Sequence, residues 1–136
     1  MTNRLRATAL VYFLILLFAA SLNYLPFIPV VDGKTFGIFA LDIYDDGLHL
    51  ASALWAGAAA LLGARAQRFF LLYFGMIYFG DGLLGLITGS GYLDLGIVNY
   101  GIQDLPLTFK LMANFPHLGL GSMAVLASYL FRKDAQ

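Results

Sequence analysis

The chain has no cysteine and no glutamate, and it carries little charge of either sign: only 12% of its 136 residues are charged. Without cysteine there is no disulfide, no thiolate metal centre, no covalently attached c-type haem and no cysteine nucleophile. Any metal would have to be held by nitrogen and oxygen donors. The eight acids, all aspartate, are balanced by eight bases, so no net field draws nucleic acid or an acidic partner. Soluble domains carry about 25% charged residues, whereas this chain is 60% hydrophobic. Such a chain hides its apolar surface in lipid and in helix packing, and its length allows one unit over residues 1–136.

The apolar runs predict an all-α, integral membrane four-helix bundle. Thr8 to Leu25 follows Arg4 and Arg6 and is long enough to cross most of a bilayer, at about 1.5 Å per residue. Arg4, Arg6, the apolar run and Ala19-Ala20-Ser21 also fit, loosely, a cleaved signal peptide; we read the segment as the first transmembrane helix. Pro26 and Pro29 end it. The second helix is expected over about 46–65, with Ser52, Ala56, Ala60 and Ala64 at every fourth position for close packing. A basic turn, Arg65-Ala66-Gln67-Arg68, leads to a third helix over about 69–88, and a fourth runs over about 114–131. The outer connectors are then residues 26–45 and 89–113. Arg4, Arg6, Arg65, Arg68, Arg132 and Lys133 fall on one side of this arrangement, and six of the eight aspartates on the other. By the positive-inside rule both termini are expected in the cytoplasm.

The chain's two histidines each sit near the expected head of an apolar helix, in Asp45-Asp46-Gly47-Leu48-His49-Leu50 and in Asn114-Phe115-Pro116-His117-Leu118. Ionisable groups within hydrocarbon are costly unless they pair or serve a function. Counting from the cytoplasmic arginines places Asn23, His49, Asp81 and His117 at one depth, roughly 20 to 25 Å above the inner surface. If they face the bundle axis they form an outward-facing polar layer, with Asp45, Asp46, Tyr78 and Asn114 near it. Two imidazoles and one carboxylate suit a divalent transition metal, zinc, copper or iron, better than calcium. Asp81 then serves as an anionic ligand or holds a histidine tautomer.

Two other occupants fit the same residues. His49 and His117 could grip haem b for electron transfer, with space beside the small residues of the second helix. A proton relay of Asp and His is also chemically sound. The bland alternative is a structural or accessory subunit with no ligand. In that case Asp46 and Asn114 are N-caps, and His49 and His117, at the third helical position, finish the helix starts. No Ser-His-Asp order, phosphate loop or metalloprotease helix is present, so an enzyme is least favoured. A faint internal repeat aligns His49 with His117, Asp46 with Asn114, and Phe36-Gly37-Ile38 with Tyr100-Gly101-Ile102.

Asp46-Gly47-Leu48-His49-Leu50, Asn114-Phe115-Pro116-His117-Leu118-Gly119 and the spacing of the hydrophobic runs from about Leu10 to Phe131 together resemble the domain of unknown function 4383 family. This resemblance covers most of the chain, which departs from the pattern in having Ala51, Ser52 and Ala53 where a glycine is expected soon after His49. It implies a multi-pass protein of the bacterial inner membrane and confers no activity. The expected partner is the bilayer, with a homo-oligomer or a partner membrane protein compatible with the same surface.

Overall fold

In a computed structural model that describes residues 3–136, the chain is mostly helical, with one small hairpin and irregular connectors between the helices. Four long helices carry it: α1 (Arg4–Ser21), α2 (Ile43–Leu62), α3 (Ala64–Thr88) and α5 (Leu107–Leu130), with a short α4 (Gly96–Tyr100) between the last two. A 3-10 turn extends α1 through Leu22–Tyr24. The segments Arg4–Tyr24 and Ala64–Thr88 are long and apolar enough to cross a membrane. At 20 and 24 residues α2 and α5 are of similar length, but each interrupts its apolar run with polar groups: Asp45, Asp46 and His49 in one, Lys110, Asn114 and His117 in the other.

Every helix begins earlier than its apolar run predicts, and each start has a local cause. For α1 it is Asn3, whose Oδ1 accepts from the Arg6 amide at 3.1 Å. The α2 start is a capping box in which Asp42 accepts from the Tyr44 and Asp45 amides while Asp45 accepts from the Asp42 amide. Asp46 is therefore no N-cap; it lies within the first turn. The expected basic turn at 65–68 belongs to α3, because Gly63, at φ 113°, turns the chain in a single residue. On the far side α5 starts after Pro106, so Asn114 lies inside the helix and donates to the Lys110 carbonyl at 2.9 Å. The matched caps expected from the repeat are absent. Its two triplets do share one feature, a central glycine at positive φ, 72° at Gly37 and 65° at Gly101.

The connectors are shorter than expected and more structured. Asp32-Gly33, both at positive φ, close an antiparallel hairpin of β1 (Val30–Val31) and β2 (Lys34–Thr35), the turn that an Asp-Gly pair favours. Lys34 reaches over the ring of Phe109 on α5, 5.4 Å from its centre. The first connector thereby roofs the bundle.

Packing is pairwise. The small residues Ser52, Ala53, Ala56, Ala59 and Ala60 of α2 are buried, as expected for close approach, in a core that includes Leu5, Ala9, Tyr12 and Leu16 of α1. The helices α3 and α5 cross on glycines: a methyl on Gly75 would stand 2.7 Å from the Gly121 carbonyl oxygen. Pro116, inside α5, lacks the amide that would bond the Met112 carbonyl one turn back. At the opposite end Gln67, 1% exposed, ties the helix ends together, accepting from Asn3 and donating to the Ala60 carbonyl. All four long helices also expose large apolar side chains, among them Leu14, Leu54, Met76 and Met123.

Arg4 and Asp134 join the chain ends through a two-pronged ion pair, Nη2 to Oδ1 at 2.7 Å and Nε to Oδ2 at 3.2 Å. The Arg4 guanidinium holds the Asp134 carboxyl below the usual carboxylate range. Whatever stability this gives is complete above the unfolded carboxylate pKa of about 3.9 and is lost as pH falls through the lower folded value. Because the pair faces solvent, Asp134→Asn is expected to leave the Tm at pH 7 nearly unchanged. A Tm series from neutral to acid pH, with both proteins in detergent, checks both points.

Candidate functional site

Asp81 sits on the third turn from the end of α3 and is 2% exposed. Its Oδ2 accepts a 2.5 Å hydrogen bond from Nδ1 of His117 on α5. Its Oδ1 accepts from the amides of Tyr92 at 2.6 Å and Leu93 at 2.8 Å. Two backbone donors and a ring nitrogen thus surround the carboxylate, which compensates a burial that hydrocarbon alone would forbid. The loop reaches Asp81 because residue 91 is glycine: a methyl there would stand 2.6 Å from Oδ1. Tyr92 pins the same loop by donating to the Ile77 carbonyl.

His117 is held on two further sides. The Tyr78 ring meets it edge-on with centres 4.8 Å apart, and the Tyr78 hydroxyl bonds Ser52 of α2 at 2.7 Å. His49, on α2, faces His117 with ring centres 6.1 Å apart and planes inclined at 72°. The Nδ1 of His49 is buried and makes no hydrogen bond among the described residues. The Nε2 atoms of both rings remain accessible and unbonded among the described residues.

Three of the four residues expected at one depth therefore meet, one each from α2, α3 and α5. The fourth, Asn23, does not join them. It donates to both oxygens of Asp46 at 3.1 and 3.2 Å, and Tyr24 donates to the same carboxylate at 3.0 Å. Asp46 is thus a clamp between the end of α1 and the start of α2. Nor do the histidines stand at the third helical position: α2 begins at Ile43 and α5 at Leu107, so neither ring completes a capping box. The expected metal triad of His49, Asp81 and His117 is brought together only in part: Asp81 bonds His117, and His49 stands across from that ring. Among the described residues no group of three His, Cys, Asp or Glu side chains is placed to hold an ion. Asp81 is spent on His117 and two amides, which leaves it to orient a ring. The small residues of α2 that would make room for haem are themselves buried.

Both rings and Asp81 line a cavity of about 550 Å³. Its walls are Ile15, Leu16, Phe18, Ala19 and Leu22 of α1 and Phe109, Ala113, Pro116 and Leu120 of α5. The roof comes from the connectors, including Lys34, Phe39, Tyr100 and Gln103; Asp45, Asp94 and Asn114 add polar edges. The amides of Tyr92 and Leu93 are functional groups that sequence reasoning missed. The available signal was Gly89-Ser90-Gly91, a run of small residues directly after a helix that carries a buried acid.

The site thus belongs to a helical protein with a buried aspartate–histidine pair at the floor of a largely apolar cavity and a second imidazole across from it. No family model, no curated protein and no solved structure matches the chain.

Proposed function

We propose that this chain is a small four-span membrane protein, both termini cytoplasmic, which binds a small ligand in the outer cavity with His49 and His117 as polar anchors. One observation carries the reading: two imidazoles, one bonded through Nδ1 to Asp81 and neither with an Nε2 partner among the described residues, line a cavity whose size is that of small-molecule sites, about 300–1,000 Å³. The belt of exposed apolar side chains on every long helix supports the four spans.

The ligand reading is tested with protein labelled with ¹⁵N-histidine in nanodiscs, before and after exhaustive delipidation and dialysis. Both Nε2 resonances are expected to move when the occupant is stripped. Rings that never respond to any extract or additive would end the proposal. The topology has its own check, made easy by the absence of cysteine. In intact cells an impermeant thiol reagent is expected to label Asp32→Cys and to spare Lys133→Cys; the reverse pattern overturns the orientation.

A divalent transition metal keeps a place as second reading because of the carboxylate behind His117, the arrangement that steadies metal-bound imidazoles. His49 and His117 would supply two nitrogens, and the remaining positions would fall to the metal's other ligands. Elemental analysis decides it: stoichiometric metal that disappears in a His49→Ala, His117→Ala double variant supports it, and equal content in both proteins removes it.

A further inference from the structure

The cavity has two kinds of wall. Its polar groups gather at the imidazole floor and under the roof, while the side formed by α1 and α5 is apolar. These two helices make little direct contact, and a hydrogen bond from the Tyr12 hydroxyl to the Leu120 carbonyl, at 2.6 Å, joins them on the inner side of the cavity. Farther out, Ile15 and Phe18 line the cavity and yet are 40% and 54% exposed. On a protein read as lying in a bilayer, we take this thinly packed, apolar side between α1 and α5 as the face turned to acyl chains.

The floor specifies what end of a molecule would sit there. Asp81 accepts from Nδ1 of His117, so with a single proton on the ring its Nε2 holds a lone pair and seeks a donor. Nδ1 of His49 is buried and makes no hydrogen bond, so that ring is free to carry its proton on Nε2, where it offers a donor. One donor and one acceptor, on rings 6.1 Å apart, match a group that both gives and takes a hydrogen bond. A hydroxyl does this and carries no charge to desolvate.

We infer that the occupant is a membrane-dissolved, single-chain alcohol, its hydroxyl bridging His49 and His117 and its hydrocarbon chain leaving between α1 and α5. This rests on the ligand reading above and names the class of ligand. A bound metal needs a lone pair on each Nε2 and so requires the opposite tautomer of His49.

The test uses the full chain in phosphatidylcholine nanodiscs with tritiated 1-dodecanol as the probe. Saturable binding is expected, displaced by unlabelled dodecanol and untouched by dodecane or ethanol at equal concentration. His117→Phe keeps the ring shape and removes the acceptor, and is expected to weaken binding about tenfold, while His117→Gln retains most of it. Ala19→Trp fills the gap between α1 and α5 without touching either imidazole, and is expected to abolish dodecanol binding. Unfolding curves of each variant separate loss of the site from loss of the fold. No saturable dodecanol binding, or equal displacement by dodecane, overturns the alcohol assignment. If histidine resonances still respond to a stripped occupant in that case, the ligand reading survives without it; if neither probe registers, both fall.

Discussion

Asp81→Leu is expected to cost about 3 kcal/mol of stability, because it withdraws the acceptor from three part-buried donors at once, each worth about 1–3 kcal/mol when left fully unserved. The three donors are the His117 ring and the amides of Tyr92 and Leu93. The loss has a location as well as a size. Residues 89–106 are held over the site by those two amides, so limited proteolysis should cut that connector in the variant while sparing the helices. Asp81→Asn keeps one carbonyl oxygen for the amides and should fall between the two. An Asp81→Leu protein that unfolds at the wild-type denaturant concentration, with the connector still resistant, would mean the carboxylate has little to do with the fold.

The second large effect is a pair of opposite signs two residues apart on α5. A methyl at Gly121 would stand 2.5 Å from the Phe79 amide nitrogen and 2.7 Å from the Gly75 carbonyl oxygen. Both neighbours are backbone, so neither can swing aside, and Gly121→Ala must push α5 off α3. Overpacking of this kind costs about 1–3 kcal/mol and occasionally more. A methyl at Gly119 meets nothing within 4 Å, so Gly119→Ala should gain up to about 1 kcal/mol from helix propensity. Denaturant titration in one detergent measures both; shifts of the same sign would refute the close crossing.

The sequence carried more of the site than of the helix limits. Asp81 and His117 were legible because a carboxylate inside an apolar run must find a partner, and few residues in the chain are able to supply one. Depth counting brought His49 to the same level for the same reason. It misplaced Asn23, since equal depth says nothing about azimuth, and Asn23 turns to Asp46 instead. Helix starts were read from where hydrophobicity rises, yet they are decided by capping chemistry. The Asp42/Asp45 box and Gly63 act outside the apolar run, and Pro106 lies two turns ahead of the expected start at Asn114. The Asp32-Gly33 hairpin was readable from its dipeptide alone. The return of Tyr92 and Leu93 to Asp81 was not, because backbone amides leave no mark in a sequence beyond the glycine that lets them approach.

Pro116 divides α5 mechanically. Below it, the glycine crossing locks the rod to α3; above it, Asn114 still seats against Gly85 of α3 and Phe109 meets Lys34 of the hairpin, with one rung of the helical ladder missing between the two parts. At the level of the cavity, next to His117, bending the helix would break one backbone hydrogen bond fewer than elsewhere along α5. Any tilt of the upper part away from α1 would have to work against the seat of Asn114 on Gly85, so widening that side and unseating the helix from α3 are mechanically coupled.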